Sequence, residues 1–322
     1  MRAVLVRELG GPETMVVEEI PDPRPGPEDL LVEVEAAGVN FIDIYQRTGL
    51  YPLDLPFTPG LEGAGVVIET GEEVEEFVPG DRVGWVAALG TYAERHVVPA
   101  EKAIPIPDGV ATETVAAVLL QGITAHYLAL DTYLLGGRDR CLIHAGAGGV
   151  GLLLTQIAKM RGAEVTTTVG SEEKAELSRA AGADHVIVYT QEDFAQAAEE
   201  RLGPHPFDVV YDGVGAATFT KSLDLLRPRG MMVTFGNASG PPPEISPLLL
   251  SQKGSLFLTR PSMFNYMATR EELLARTGDL LGWVVDGSLE VRVWGRFTLE
   301  EAAQAHRALE GRRTSGKVLV VP

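Results

Sequence analysis

The chain reads as an α/β protein with a β-rich companion domain, and three observations predict this. Its 322 residues exceed the size at which one core normally stops growing. Its first hundred or so residues break into short Val-rich or alternating runs, separated by Gly, Pro and acidic turns. Beyond Arg140 the pattern becomes strand, turn and helix in regular alternation, the signature of parallel strands covered on both faces.

In the β-rich part, "RAVLV", "LLVEVEAAGV", "GAGVVIETG", "DRVGWVA" and "AERHVVPA" are the expected strands, with "GEEVEEFVPGDRV" a turn-rich connection. Many short strands with glycine turns give an antiparallel barrel or a partly open sheet. Residues 111–135 read as helix, with Thr112 as its cap. "CLIHAG" is then a strand, "GVGLLLTQIAKMRG" a helix, "AEVTTTVG" a strand and "SEEKAELSRAAG" a helix. Strands "HVIVY", "DVVYDGV" and "MMVTFG" follow, with "EDFAQAAEERLG" and "AATFTKSLDLLRPRG" as helical connections. "SLFLT" adds a strand, "TREELLARTGDLLGWVVDG" and "TLEEAAQAHRALEG" add helices, and "GKVLVVP" closes the chain as a strand.

Composition narrows the function classes. With 27 basic and 45 acidic residues the formal charge is −18, a field that repels nucleic acid and anionic lipid. "GRRTSGK" is the one short basic cluster, too small for a duplex-binding surface. "AAVLLQGITAHYLALDTYLL" is broken by Gln121, His126 and Asp131, so membrane insertion is not expected. The start lacks an apolar run of signal-peptide length, and the single cysteine, Cys141, forbids an intrachain disulfide. A cytoplasmic protein is expected.

Gly146, Gly148 and Gly151 form GxGxxG directly after the apolar run that starts at Cys141. The first permits the tight turn, the second lets a pyrophosphate approach the backbone, and the third lets helix and strand pack closely. With a strand before it, a helix after it and a second strand beyond, this is a dinucleotide cradle, whereas glycines alone would mark any tight turn. A mononucleotide P-loop is excluded, because Val150, Gly151 and Leu152 stand where lysine and a hydroxyl residue would be required. The second strand, "VTTTVGS", reaches Ser171 without a carboxylate to take the adenosine ribose hydroxyls, and Lys174 follows. Hydroxyls and a cation suit a ribose 2′-phosphate, so NADP(H) is expected over NAD(H). Glu172 and Glu173 must then point away. One cysteine cannot supply a Cys₄ zinc site, and the six histidines lack dense ligand spacing; no metal is expected.

Together "AAGVNFIDIYQRTGLYP", "PGLEGAGVV", "VLLQGITAHYLA", "HAGAGGVG" and "GRFTLEEAAQAHRALEGRRTSGKVLV" span nearly the whole chain. On these segments the chain resembles the zinc-independent quinone oxidoreductases of the medium-chain dehydrogenase/reductase family. The resemblance implies a chaperonin-10-like catalytic domain over 1–123 and 265–322, and a Rossmann nucleotide domain over 124–264. Zinc-binding relatives have a cysteine where this chain has Asn40, and a histidine where Leu61 precedes Glu62. Asp43 and Glu62 are therefore expected to serve polar packing.

Carried over by motif position, Asn40 and Thr124 resemble contacts on the nicotinamide side, and Tyr45 and Tyr51 line the substrate end. Asn40, Tyr45 and Tyr51 are the implied catalytic residues. Gly146, Gly148, Gly149, Val150 and Gly151 form the pyrophosphate site. Ser171, Lys174, Tyr189 and Arg312 resemble the adenosine-phosphate pocket. The implied activity is NADPH-dependent reduction of a quinone by a homodimer, with "EISPLLLSQKGSLFLT" as the contact segment. Two alternatives stand beside it: NADPH-dependent reduction of an activated enone or alkenal double bond, and a noncatalytic nucleotide-binding structural or RNA-interacting role.

Overall fold

Glycine and proline punctuate the first part of the chain, and strands form between them. The computed structural model describes residues 1–322. These make two compact units, Met1–Ile123 with Met267–Pro322, and Thr124–Tyr266. The return to the first unit thus begins at Met267, two residues beyond the expected 265.

The first unit opens with β1 (Arg2–Val6) paired antiparallel with β2 (Met15–Glu19). The eleven-residue β3 (Asp29–Val39) runs into α1 (Phe41–Arg47), and β4 (Glu62–Thr70), β5 (Arg82–Val86), β6 (Arg95–Pro99) and β7 (Ala103–Pro105) follow. Strand β3 pairs antiparallel with both β4 and β6, pairings that the expected antiparallel barrel or partly open sheet both contain. Alternate side chains fill the space beneath it: Leu30, Val32, Val34, Val67, Val83, Trp85 and Val98 form one core.

Helix α2 (Thr112–Tyr127) ends in a π-helical turn over Leu128–Thr132. Thr112 is its first residue rather than the flanking cap expected. The Ala111 carbonyl takes the amides of Thr114 and Val115, and the Thr112 hydroxyl accepts from Arg82 at 3.4 Å. The stretch Thr112–Thr132 is long and apolar enough to cross a membrane by length and composition, yet 72% of its apolar window is buried inside the protein. It is a core helix.

In the second unit β8 (Arg140–His144) leads to α3 (Gly149–Met160), β9 (Glu164–Val169) to α4 (Glu172–Ala180), and β10 (His185–Val188) to α5 (Phe194–Leu202). Strand β11 (Phe207–Asp212) leads to α6 (Phe219–Asp224), β12 (Leu226–Thr234) to α7 (Pro247–Gln252), and β13 (Phe257–Thr259) lies at the sheet edge. Helix α6 is shorter than "AATFTKSLDLLRPRG" suggests, because "RPRG" already belongs to β12. Proline disfavours helix in the residue before it, and Pro228 lies two residues into the strand. All six strands are parallel, in the order β10-β9-β8-β11-β12-β13. The order reverses at β8, and the carboxyl ends of β8 and β11 flank that switch point, where doubly wound sheets bind ligands.

The chain returns to the first unit as α8 (Arg270–Val285), β14 (Val293–Phe297), α9 (Ala302–Glu310) and β15 (Lys317–Val320). Thr269 and Glu272 close a capping box at the start of α8. Strand β15 pairs antiparallel with β3, setting Val318 opposite Val39. This places the last strand beside the β3–α1 corner.

Candidate active site

At the end of β8 the glycines act for three different reasons. A Cβ on Gly146 would come 2.5 Å from the Thr167 Cβ, so this position must be bare for β8 to lie against β9. On Gly151 it would overlap the Ala145 carbonyl oxygen and lie 2.9 Å from the Gly146 Cα, so α3 packs on the turn only through glycine. On Gly148 it would meet just the Ala145 oxygen, at 3.1 Å. The space in front of Gly148 is thus left open by the protein. Gly148 flanks the first turn of α3 and caps it with no side chain, so the orphan amides of Gly149, Val150 and Gly151 belong to an uncovered helix N-terminus. That is a fit for a diphosphate, which needs bare amides and the positive end of a helix.

Behind the turn, His144 is fully enclosed. Ser222 Oγ donates to the Thr218 carbonyl at 2.8 Å, so it accepts from His144 Nε2 at 2.8 Å. His144 Nδ1 is then the acceptor for Thr168 Oγ, 2.9 Å away. Burial holds the ring's pKa below its usual value, and the neutral Nε2–H tautomer satisfies every neighbour. Cys141 is also fully buried, and burial pushes its thiol up out of the reactive range.

At the end of β9, Ser171 caps α4 by accepting the Lys174 amide at 3.3 Å. Glu172 turns along the helix to Arg179, 3.5 Å away, and so leaves the Ser171 end. The Tyr189 ring stands over Gly170, where a Cβ would come 2.7 Å from its hydroxyl, and 42% of the residue remains exposed. Ser171, the Lys174 backbone and Tyr189 therefore share one end of the sheet with the glycine turn. Thr124, also in this unit, is buried on α2, and Arg312, in the first unit, is exposed at a positive φ of 54° after α9.

In the first unit, α1 carries Tyr45 with Tyr51 packed edge-on against it, ring centroids 5.2 Å apart. The Tyr51 amide donates to the Tyr45 carbonyl at 3.0 Å, fixing the loop to the helix end. Tyr45 is buried and Tyr51 is 37% exposed.

Asn40, at the β3–α1 corner, has its carboxamide fully engaged. Its Nδ2 donates to Glu62 Oε1 at 2.6 Å and to the Gly38 carbonyl at 3.3 Å. Its Oδ1 accepts from Lys317 Nζ at 2.9 Å and from Gln121 Nε2 at 3.3 Å. Lys317 and Glu62 form an ion pair with side chains 1% and 0% exposed. The other Glu62 oxygen accepts the Leu120 amide of α2 at 2.7 Å. As expected, Asp43 and Glu62 serve polar packing. Losing one partner of so buried a pair costs about 3–5 kcal/mol, since the other charge is stranded.

From the same corner a second chain of hydrogen bonds runs outward. Asp43 Oδ2 accepts the Asn40 amide at 2.8 Å and the Tyr92 hydroxyl at 2.9 Å, while its Oδ1 has no partner. Burial pushes the Asp43 carboxyl up to about 7, against the hydrogen bonds from Asn40 and Tyr92 that favour its charged form. The Tyr92 oxygen, having donated, accepts from His306 Nε2 at 3.3 Å, and His306 Nδ1 accepts from Arg47 at 3.1 Å. Burial, with the Arg47 guanidinium beside it, drives His306 down to about 3.

Sequence reasoning missed Lys317, Gln121, Tyr92 and His306. Lys317 and Glu62 did leave a signal: each is a lone charge at the head of an apolar strand, in "GKVLVV" and "LEGAGVV". Across the molecule no group of three or more His, Cys, Asp or Glu is arranged to hold a metal ion.

A parallel sheet reversing at an open glycine turn, in a chain whose other unit is β-rich, belongs to the class of two-domain dinucleotide-binding proteins. The alcohol dehydrogenase GroES-like domain family matches residues 26–108, and the zinc-binding dehydrogenase family matches 149–276. The chain is 45% identical over 315 residues to quinone oxidoreductase of Pseudomonas aeruginosa, covering 97% of each chain. It superposes on Escherichia coli quinone oxidoreductase complexed with NADPH with a TM-score of 0.98, at 40% identity and 100% coverage of both chains. It is also 40% identical to 2-haloacrylate reductase of a Burkholderia species, covering 99% of this chain and 98% of the other. The chain belongs to the zinc-independent quinone oxidoreductases of the medium-chain dehydrogenase/reductase family.

Proposed function

We propose that the chain is an NADPH-dependent quinone reductase. The observation that carries this reading is the open space before Gly148, which the protein's own packing does not explain and a dinucleotide diphosphate does. When bound, NADPH supplies the hydride, and the protein's share is to bind, orient and exclude competing reactions. Gly149, Val150 and Gly151 offer the diphosphate their backbone amides, while Gly146 and Gly148, whose own amides donate to the Thr168 and Ala145 carbonyls, shape the turn and leave the approach bare. Ser171, Lys174, Tyr189 and Arg312 receive the adenosine phosphate, and Glu172 is drawn off by Arg179. Thr124 serves the nicotinamide side; Asn40, expected to do so as well, has its carboxamide spent on Glu62, Gly38, Lys317 and Gln121 and acts by holding the β3–α1 corner. Tyr45 and Tyr51 line the acceptor end, and a quinone, already electron-accepting, needs little more than placement there.

The 2-haloacrylate reductase likeness favours a second reading, reduction of an activated carbon–carbon double bond. Anaerobic NADPH oxidation with matched quinone and enone panels separates the two. Quinones are expected to turn over faster; turnover confined to enones would overturn the assignment. The enzyme is further proposed to be a cytoplasmic homodimer. The edge strand β13 leaves Phe257 57% exposed, and Leu248 on nearby α7 is 63% exposed, an apolar margin suited to a second copy.

A further inference from the structure

The Lys317–Glu62 pair is built into the molecule at an unusual place. Glu62 does not merely meet a lysine: its two oxygens join four segments of the first unit. One takes Lys317 of β15 and the Asn40 amide group at the β3–α1 corner; the other takes a backbone amide in the middle of α2, at Leu120. Mid-helix amides ordinarily serve only their own helix, and here the Glu62 carboxylate enters that ladder and ties α2 to β4 at Leu120. The next residue, Gln121, reaches back to Asn40 at 3.3 Å. Gly38 completes the arrangement, because a Cβ there would come 2.6 Å from the Glu62 carboxyl carbon and 2.7 Å from the Ala116 carbonyl oxygen. Strand, corner and helix close around the carboxylate with no room for one methyl group.

A lysine in such a place needs a reason. Its ammonium is buried, and a well-packed apolar pair would hold the same strands together at no loss of stability. What an apolar pair would not do is direct hydrogen bonds. The ammonium saturates Asn40 Oδ1 and Glu62 Oε1 together, and thereby decides which way the Asn40 amide faces.

We propose that Lys317 is a positioning residue: through Glu62 and Asn40 its ammonium sets the β3–α1 corner, which carries Tyr45, and the register of α2, which carries Thr124 one turn beyond Leu120. This rests on the reading of Thr124 and Tyr45 as cofactor-side and acceptor-side residues.

The test compares wild type with Lys317→Arg, Lys317→Met and the double variant Lys317→Met/Glu62→Gln. Unfolding midpoint, NADPH Kd by fluorescence titration, and kcat with a benzoquinone acceptor are measured for each. Lys317→Met alone strands the Glu62 charge and is expected to lose most of its folded yield. The double variant leaves no buried charge and is expected to unfold close to wild type, yet to bind NADPH at least fivefold more weakly and to lose at least tenfold in kcat. Lys317→Arg keeps the cation but not its point geometry, and is expected to fold and lose at least threefold in kcat or in NADPH affinity. If Lys317→Arg, or the double variant, matches wild type in both Kd and kcat, the pair is merely structural and the proposal fails. A wild-type protein that binds NADPH but reduces no quinone strikes the reductase reading alone, and the Kd values still judge the positioning role.

Discussion

Replacing Gly148 by alanine separates binding from folding more cleanly than any other change in the glycine turn. Gly148 has φ −74° and ψ 170°, values an alanine adopts without strain. Its new Cβ would meet only the Ala145 oxygen, at 3.1 Å, a contact that a shift of a few tenths of an ångström relieves. Glycine and alanine at the flanking position of a helix differ by about 0.5–1 kcal/mol, so the variant is expected to fold with at most that loss. The methyl group instead enters the space reserved for the diphosphate, displacing it from the α3 amides. The equivalent of one charge-assisted hydrogen bond, about 1.5–3 kcal/mol, is lost. At about 1.4 kcal/mol per decade this is a tenfold to hundredfold rise in NADPH Kd. Gly151→Ala is the matched control with the opposite pattern. Its Cβ collides with backbone at Ala145 and Gly146, and overpacking of this kind costs about 1–3 kcal/mol of stability. Urea unfolding gives the first quantity and quenching of protein fluorescence by NADPH the second. A Gly148→Ala protein that folds and binds NADPH as wild type does would falsify the assignment of the open cradle to a diphosphate.

Three further outcomes follow from the same geometry. Lys174→Ala or Arg312→Ala is expected to raise the NADPH Kd about tenfold while shifting that of NADH much less, in line with about 1–3 kcal/mol for a lost charge-assisted contact; equal weakening of both cofactors refutes 2′-phosphate recognition. Stability is expected to fall as the pH drops below about 6.5. His96 and His306, held down to about 4 and about 3 by burial, bind fewer protons folded than unfolded, so the stability they confer is lost as pH falls below about 6.5. Asp43, raised to about 7, binds more protons folded than unfolded, so its contribution is lost as pH rises through 7. Between about pH 4 and 7 the Asp43 contribution opposes that of the two histidines, so urea midpoints should fall on the acid side of about pH 6.5, and Asp43→Asn, which carries no titrating proton, should steepen that fall; an unchanged slope locates the raised carboxyl elsewhere. Phe257→Asp is expected to convert a dimer to monomers on size-exclusion chromatography, and an unaltered elution volume removes β13 from the interface.

The second unit was legible because local rules determine it. A glycine at 146 or 151 is demanded by contacts within about thirty residues of sequence, and strand–turn–helix alternation announces each parallel crossover. The misreadings there and at α2 are likewise local. Thr112 has the right chemistry for a cap, but Arg82, thirty residues earlier, takes its hydroxyl, and the helix includes it. The corner around Asn40 was not legible in the same way. Its meaning depends on Lys317, 277 residues away, and on Gln121, 81 away, and no periodicity encodes such pairings.

That difference bears on how so buried a carboxylate as Glu62 is held in this corner. A carboxylate wholly enclosed and hydrogen-bonded to neutral groups alone would be expected to protonate or to open the site to water. Here the last strand delivers the missing positive charge as Lys317, and the Asn40 amide links it to the acid with one donor and one acceptor. An asparagine suits this better than a carboxylate or an amine, because it alone offers both senses of hydrogen bond in one planar group. Asn40→Asp is the case that decides: it would bring a second anion against Glu62 with one ammonium to share. One of the two acids should then take up a proton near neutral pH, giving the variant a pH-dependent NADPH affinity that wild type lacks. Wild-type affinity across that range would mean the corner tolerates a second charge, and Lys317 would not be the counter-charge that limits it to one acid.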